Sequence, residues 1–267
     1  MSAVTLPRLH WGPSDSDRRA LLVHGLGSSA HTMWRIAESL ADAGWSVDAV
    51  DLRGHGDAPR TSSYRIDEFA ADLAATHPRG AGDPHDHGDA RPTTQRGTWN
   101  LVVAHSIGGA AAVVAAAAHP RWTERLVLLD PALHTPAEAR AAIRARQLTA
   151  KDSITIESAG AENPHWHPLD NELRVRAVHA ASRFALEHAV LDNPDWDVMP
   201  HIPHLTQPTL VIGADPERGA LFAGELADRA LEANPLIEHV TVPGGHNVHR
   251  DAPTETLDAL HEWLADF

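Results

Sequence analysis

One stretch constrains this chain more than any other: Asn100-Leu101-Val102-Val103-Ala104-His105-Ser106-Ile107-Gly108-Gly109-Ala110. Residues 101–104 are an apolar run, the pattern of a strand buried on both faces. Residues 110–118 are all small and apolar, which suits a tightly packed helix. Between the two lies a serine with glycines directly behind it. A strand that turns sharply into a helix leaves such a serine exposed at the tip. The glycines let helix and strand come close, and the helix N-terminus favours negative charge beside the hydroxyl. The plainer reading of this string is a buried strand–helix junction with an incidental serine. The rest of the chain decides between the two.

The chain of 267 residues, 43% of them hydrophobic, fits one α/β domain with an insertion. No apolar run is long enough for a membrane span. Residues 1–8 do not read as a signal peptide, so the expected location is cytoplasmic. Cysteine is absent, which excludes disulfides, thiol catalysis and thiolate metal sites. The formal net charge of −14 argues against nucleic-acid and anionic-membrane partners. The expected partner is a small molecule, and composition leaves the oligomeric state open. Lys151 is the single lysine and reads as compositional bias, and the excess that makes 20 histidines reads partly as the same bias.

Strand and helix patterns alternate along the chain. Residues 5–11 suggest a short edge strand. Apolar runs at 19–23, 45–50, 101–104, 125–131, 208–214 and 237–242 read as further strands. Helical spacing covers 32–43, 66–76, 110–118, 221–233 and 254–267. Residues 80–97 read as a polar loop, rich in Gly, Pro, Asp and His. Its Asp83, His85, Asp86, His87 and Asp89 are metal-ligand types, but without rigid support they read as solvated loop, so no metal is expected. From 132 to 207 the strand pattern disappears, with helices expected at 136–149 and 169–191. The organisation expected is a core from 1–131 and 208–267, with a helical cap at 132–207. Apolar strands alternating with helices make a mostly parallel sheet covered by helices on both faces. Sites in such sheets lie beyond the carboxyl ends of the strands. His24, Asp51, Ser106, Asp130, Asp215 and His246 all fall there.

These residues resemble the α/β-hydrolase fold family. The motifs that carry the likeness are His24-Gly25-Leu26-Gly27, Asp51-Leu52-Arg53-Gly54-His55-Gly56, Ala104-His105-Ser106-Ile107-Gly108-Gly109, and Pro243-Gly244-Gly245-His246 followed by Asp251-Ala252-Pro253. They span nearly the whole chain in the family's order. Ala104 stands where the family's turn before the serine has glycine, and Asp57 where members often have serine. The resemblance implies a hydrolase with a serine, acid, histidine chain order.

Serine needs a base to become a nucleophile. His246, at the end of a strand and a Gly-Gly turn, is the candidate, with His249 as a rival. A carboxylate must orient the imidazole: Asp215 is the first choice, after the strand at 208–214, and Asp130 is the alternative. Family geometry implies an oxyanion hole from the backbone N–H groups of Leu26 and Ile107. It also implies that His24 braces the oxyanion loop, and Arg53 and His55 read as structural beside it. Substrate contacts are expected from His24, Met33, His105, Leu133, Trp166 and Trp196, favouring a small to medium, fairly apolar ester. Ser106 contradicts an aspartate nucleophile, and His24-Gly25-Leu26-Gly27-Ser28-Ser29 lacks the third glycine of a dinucleotide site. The expectation is a carboxylesterase that needs no cofactor. A lactonase, an amidase or a carbon–carbon bond hydrolase would share the machinery, and a non-catalytic receptor would share the fold.

Overall fold

The strand residues alternate between two apolar layers. In the strand that precedes Ser106, Leu101 and Val103 join one cluster, while Val102 and Ala104 join the other. A strand apolar on both faces is stable only in the middle of a sandwich. The computed structural model, which describes residues 3–78 and 97–267, is built that way. The Asp83, His85, Asp86, His87 and Asp89 group lies outside the described residues.

The seven-stranded sheet has the order β1-β3-β2-β4-β5-β6-β7. Its strands are β1 (Arg8–Trp11), β2 (Arg19–Val23), β3 (Ser46–Val50), β4 (Leu101–His105), β5 (Leu126–Leu129), β6 (Thr209–Gly213) and β7 (Ile237–Thr241). Every pairing is parallel except that of the edge strand β1 with β3. One face is covered by α1 (Trp34–Asp42) and α10 (Pro253–Leu264), with Trp45, Leu260 and Trp263 buried there. The other is covered by α2 (Ile66–Ala74), α3 (Ile107–Ala118) and α8 (Gly224–Ala233). The chain reverses its winding direction between β2 and β4, which makes their carboxyl ends the switch point where ligands bind. His24 and Ser106 follow those two strands.

Between β5 and β6 the chain is helical: α4 (Ala137–Ser153), α5 (Ile156–Glu162), α6 (Pro168–Ala180) and α7 (Arg183–Leu191). Its base is pinched where Val198 N–H donates to Leu133 O and Thr135 N–H to Trp196 O. Two details differ from the sequence expectation. The single helix expected over 169–191 is two, because Ala181 and Ser182 are extended and the Ser182 N–H is drawn to Gly54 O at 2.7 Å. The unanticipated α5 is started by Thr155, whose hydroxyl accepts from Ser158 N–H at 3.1 Å. None of the helices among the described residues is long and apolar enough to cross a membrane.

Candidate active site

Ser106 sits at φ 55°, ψ −120°, a region non-glycine residues rarely occupy. Such a backbone costs on the order of 1–3 kcal/mol. It is held by its neighbours: Ser106 N–H donates to Leu129 O, and Ser106 O accepts from Ala110 and Ala132 N–H. The turn also needs a close approach of helix to strand. A Cβ at Gly108 would lie 2.4 Å from His24 O, so this position must be glycine. Ala104 is accommodated in the core with no exposure.

The next strand along ends in Asp130, also at positive φ and wholly buried. Its carboxylate accepts the backbone N–H of Phe222 at 3.0 Å, of Leu221 at 3.0 Å and of Ala214 at 3.4 Å. A buried carboxylate is stable only when so surrounded by donors. The remaining donor is His246, whose Nδ1–H reaches Asp130 Oδ2 at 2.7 Å. The other ring nitrogen, Nε2, accepts from Ser106 Oγ–H at 2.9 Å. Ser106, His246 and Asp130 thus form one continuous hydrogen-bonded line.

This reverses the sequence preference for the acid. Asp215 caps the turn Pro216–Arg218, accepting Glu217 N–H at 2.9 Å, and lies 3.8 Å from Arg218. The loop after β6 contributes backbone amides to Asp130 and supplies no carboxylate to His246. His249, the rival base, is buried with neither ring nitrogen partnered.

The loop after β2 lies against the serine. A Cβ on Gly25 would stand 3.0 Å from Ser106 Cβ and 2.7 Å from His105 Nδ1. Two buried imidazoles brace it. His24 Nε2 accepts from Leu52 N–H, so its proton is on Nδ1, which donates to Gly25 O at 2.7 Å. His55 Nε2 accepts from Gly27 N–H at 3.1 Å, and its Nδ1–H donates to Arg53 O. Burial pushes the His24 pKa down to about 4 and that of His55 down to about 3. Both are neutral struts at pH 7. Asp51 ties the same loops together, accepting Ala30 N–H at 2.8 Å and Asp57 N–H at 3.0 Å. The Asp57 side chain is exposed, so what this position contributes to the loop is its backbone amide. Arg53 is clamped on Asp72 by Nε and Nη2 at 2.6 and 2.8 Å. Among the described residues, the N–H groups of Leu26 and Ile107 have no protein acceptor.

The six side chains expected to meet substrate have other partners. His24 has spent both nitrogens on the backbone. Met33 is fully buried in the layer of α1, below the loop. Both are corrections: a strand-end loop shows its backbone to the site, and these side chains point into the scaffold. Leu133 is 1% exposed among core residues. Trp196 donates its indole N–H to Ala132 O, and Trp166 donates to Asp251 Oδ1. His105 donates Nε2–H to His246 O at 2.9 Å, with its ring 4.8 Å from that of His246. It orients the His246 loop.

No residue pattern warned of how much the helical segment holds. Gln147 of α4 bonds Leu26 O at 3.4 Å. Asp170 of α6 is buried and receives Trp34 Nε1–H at 2.8 Å and Arg35 Nη2–H at 2.7 Å.

The fold agrees with comparison to known proteins. The model of the alpha/beta hydrolase family matches residues 20–259. The chain belongs to the alpha/beta hydrolase family. It is 31% identical over 162 residues to lipase LipV of Mycobacterium tuberculosis, a match spanning 60% of this chain and just over half, 55%, of LipV. It is 26% identical over 269 residues to the 2-(acetamidomethylene)succinate hydrolase of Mesorhizobium japonicum, covering 91% of this chain and 87% of that protein. The solved N-formylmaleamic acid deformylase of Pseudomonas putida S16 superposes with a TM-score of 0.76 at 23% identity, covering 95% and 94% of the two chains, and so shares the fold.

Proposed function

We propose that this family member is a serine hydrolase that cleaves carboxylic esters through an acyl-enzyme. The observation that carries the reading is the unbroken line Ser106 Oγ, His246 Nε2, His246 Nδ1, Asp130 Oδ2, at 2.9 and 2.7 Å. In the first half-reaction His246 takes the Ser106 proton as the oxygen attacks the ester carbonyl. Asp130 stabilises the imidazolium and fixes its tautomer. The Leu26 and Ile107 N–H groups receive the oxyanion, each such donor being worth about 3 kcal/mol. His246 then protonates the departing alkoxide, leaving the acyl group on Ser106. In the second half-reaction His246 deprotonates water, which attacks the acyl carbon, and the proton returns to Ser106 as the acid leaves. No cofactor enters either step.

In this reading residues 132–207 act as a cap that selects the acyl group. The support is that α4 touches the oxyanion loop through Gln147 and α6 grips the start of α1 through Asp170. The name of LipV, a lipase, favours the ester over other acyl compounds.

The test is labelling with a fluorophosphonate probe followed by peptide mapping. The label is expected on Ser106 and absent from Ser106→Ala, together with turnover of short-chain methyl esters. Folded protein that takes no label at Ser106 would overturn the reading.

A further inference from the structure

Next to the loop that holds Leu26, several buried side-chain nitrogens have no hydrogen-bond partner. Arg250 lies on the short helix α9 (Val248–Asp251), directly after His246. It is 5% exposed. Its Nη2–H donates to Ser28 Oγ at 3.2 Å, and its Nε–H has no partner. Among the described residues, no carboxylate lies within ion-pairing distance of it. The charges of Asp170 and Asp251 act on this guanidinium through space, but neither is in direct contact with it, and a buried guanidinium without a direct ion pair is costly.

The neighbouring carboxylates are already in use. Asp170 is bonded to Trp34 and Arg35. Asp251 takes Trp166 Nε1–H at 2.6 Å and His165 on one oxygen, and Asn247 N–H at 3.1 Å on the other. Arg174, also close by, is paired with Glu162. Beside Arg250, both ring nitrogens of the buried His249 and the Nε–H of Arg35 are unpartnered too. The indole of Trp166 lies against the guanidinium, its ring centre 5.1 Å from the Arg250 Cζ. A planar face supports the fork from one side and leaves its edge to receive a planar, two-oxygen anion. Ser28 lies two residues after Leu26, so its bond to the fork ties Arg250 to the loop that carries the Leu26 N–H.

We propose that Arg250 receives a carboxylate of the substrate, so that the preferred esters are monoesters of dicarboxylic acids. The proposal rests on the serine-hydrolase reading for its chemistry, but its binding half does not. This departs from the sequence expectation of a fairly apolar ester: the substrate's far end is charged.

Two measurements test it. First, succinate is titrated into the Ser106→Ala protein, read by tryptophan fluorescence and by calorimetry, with dimethyl succinate and inorganic phosphate as comparison probes. Succinate is expected to saturate, dimethyl succinate to show at least tenfold weaker binding, and Arg250→Gln to weaken succinate at least tenfold, with Arg250→Lys in between. No saturation by succinate, equal binding in Arg250→Gln, or phosphate binding without succinate binding would each overturn the proposal. Second, the wild-type enzyme is compared on monomethyl and dimethyl glutarate. A kcat/KM at least tenfold higher for the monoanion is expected, and equality overturns the proposal even if Arg250→Gln does not fold. If Ser106 takes no fluorophosphonate while succinate still binds through Arg250, the hydrolase reading falls and the anion site stands. If Ser106 is labelled and succinate does not bind, the anion site falls and the hydrolase reading stands.

Discussion

Asp130 and Asp215 stand at the carboxyl ends of neighbouring strands, β5 and β6, and from the sequence either could orient a histidine. In the folded chain their surroundings differ completely. The Asp130 side chain has no exposure and gathers backbone amides from Ala214, Leu221 and Phe222 before it meets His246. The side chain of Asp215 is 31% exposed and holds a local turn. The lesson concerns the loop between them. After β6 the chain runs through Asp215 and turns back so that its own N–H groups point at the neighbouring strand's carboxylate. A charged group at a strand end is recruited by the donors that converge on it, and those come from elsewhere in the sequence.

The sharpest way to break this comparison is Asp130→Asn. Loss of the charge and of the correct imidazole tautomer should lower kcat by about 10⁴-fold, measured on a methyl ester with circular dichroism to confirm the fold. If that variant keeps most of its activity, the Asp130 line is not the working one. Gly25→Ala comes next. The added Cβ would meet His105 Nδ1 and Ser106 Cβ, so the loop after β2 must move. A displacement near 1 Å is expected to cost about 10²-fold in kcat, with KM changed far less. A variant as fast as the parent would show that the loop does not set the reacting geometry.

A pH experiment probes the struts. His24 and His55 have folded pKa values of about 4 and about 3, below the ordinary 6.5. The unfolded chain therefore binds protons that the folded chain refuses. Their stabilising contribution is complete above pH 6.5 and falls as the pH drops toward those values, by up to about 1.4 kcal/mol per pH unit for each such histidine. His105 and His249, held neutral by burial, act in the same sense. The melting temperature should drop steadily from pH 7 to pH 5, and His55→Gln should flatten that slope. A flat profile in the parent protein would mean these imidazoles are not buried neutral.

The smallest effect is expected from Asp215→Asn. It removes no contact to His246, and asparagine can cap the same turn, so activity should stay within about threefold and stability within about 1 kcal/mol. A loss as large as that of Asp130→Asn would reverse the assignment.

Much of the fold could be read from residue patterns because strand and helix formation are local. The apolar runs mark β2 to β7 to within a few residues, and the small-residue run behind Ser106 marks α3. What escaped were features whose cause lies elsewhere in space. Helix α6 ends at Ala180 because Gly54, far away in sequence, claims the Ser182 N–H. His24 follows a strand end and Met33 comes soon after the same loop, which places both near the site in sequence, but their side chains turn into the scaffold. Arg250 carried no signal at all, since a charged residue on a short turn gives no sign that neighbouring helices will bury it.

The sequence by itself determined that Ser106 stands on a strained strand–helix turn and that His246 follows a strand in the same sheet. Periodicity and glycine placement act over a few residues, and parallel strands then bring their carboxyl ends to one edge. Only the tertiary structure decided which aspartate completes the line, because that choice depends on three amides folded back from another loop. It also left Arg250 buried without a direct ion pair, because the carboxylates that come near it are bonded to other donors.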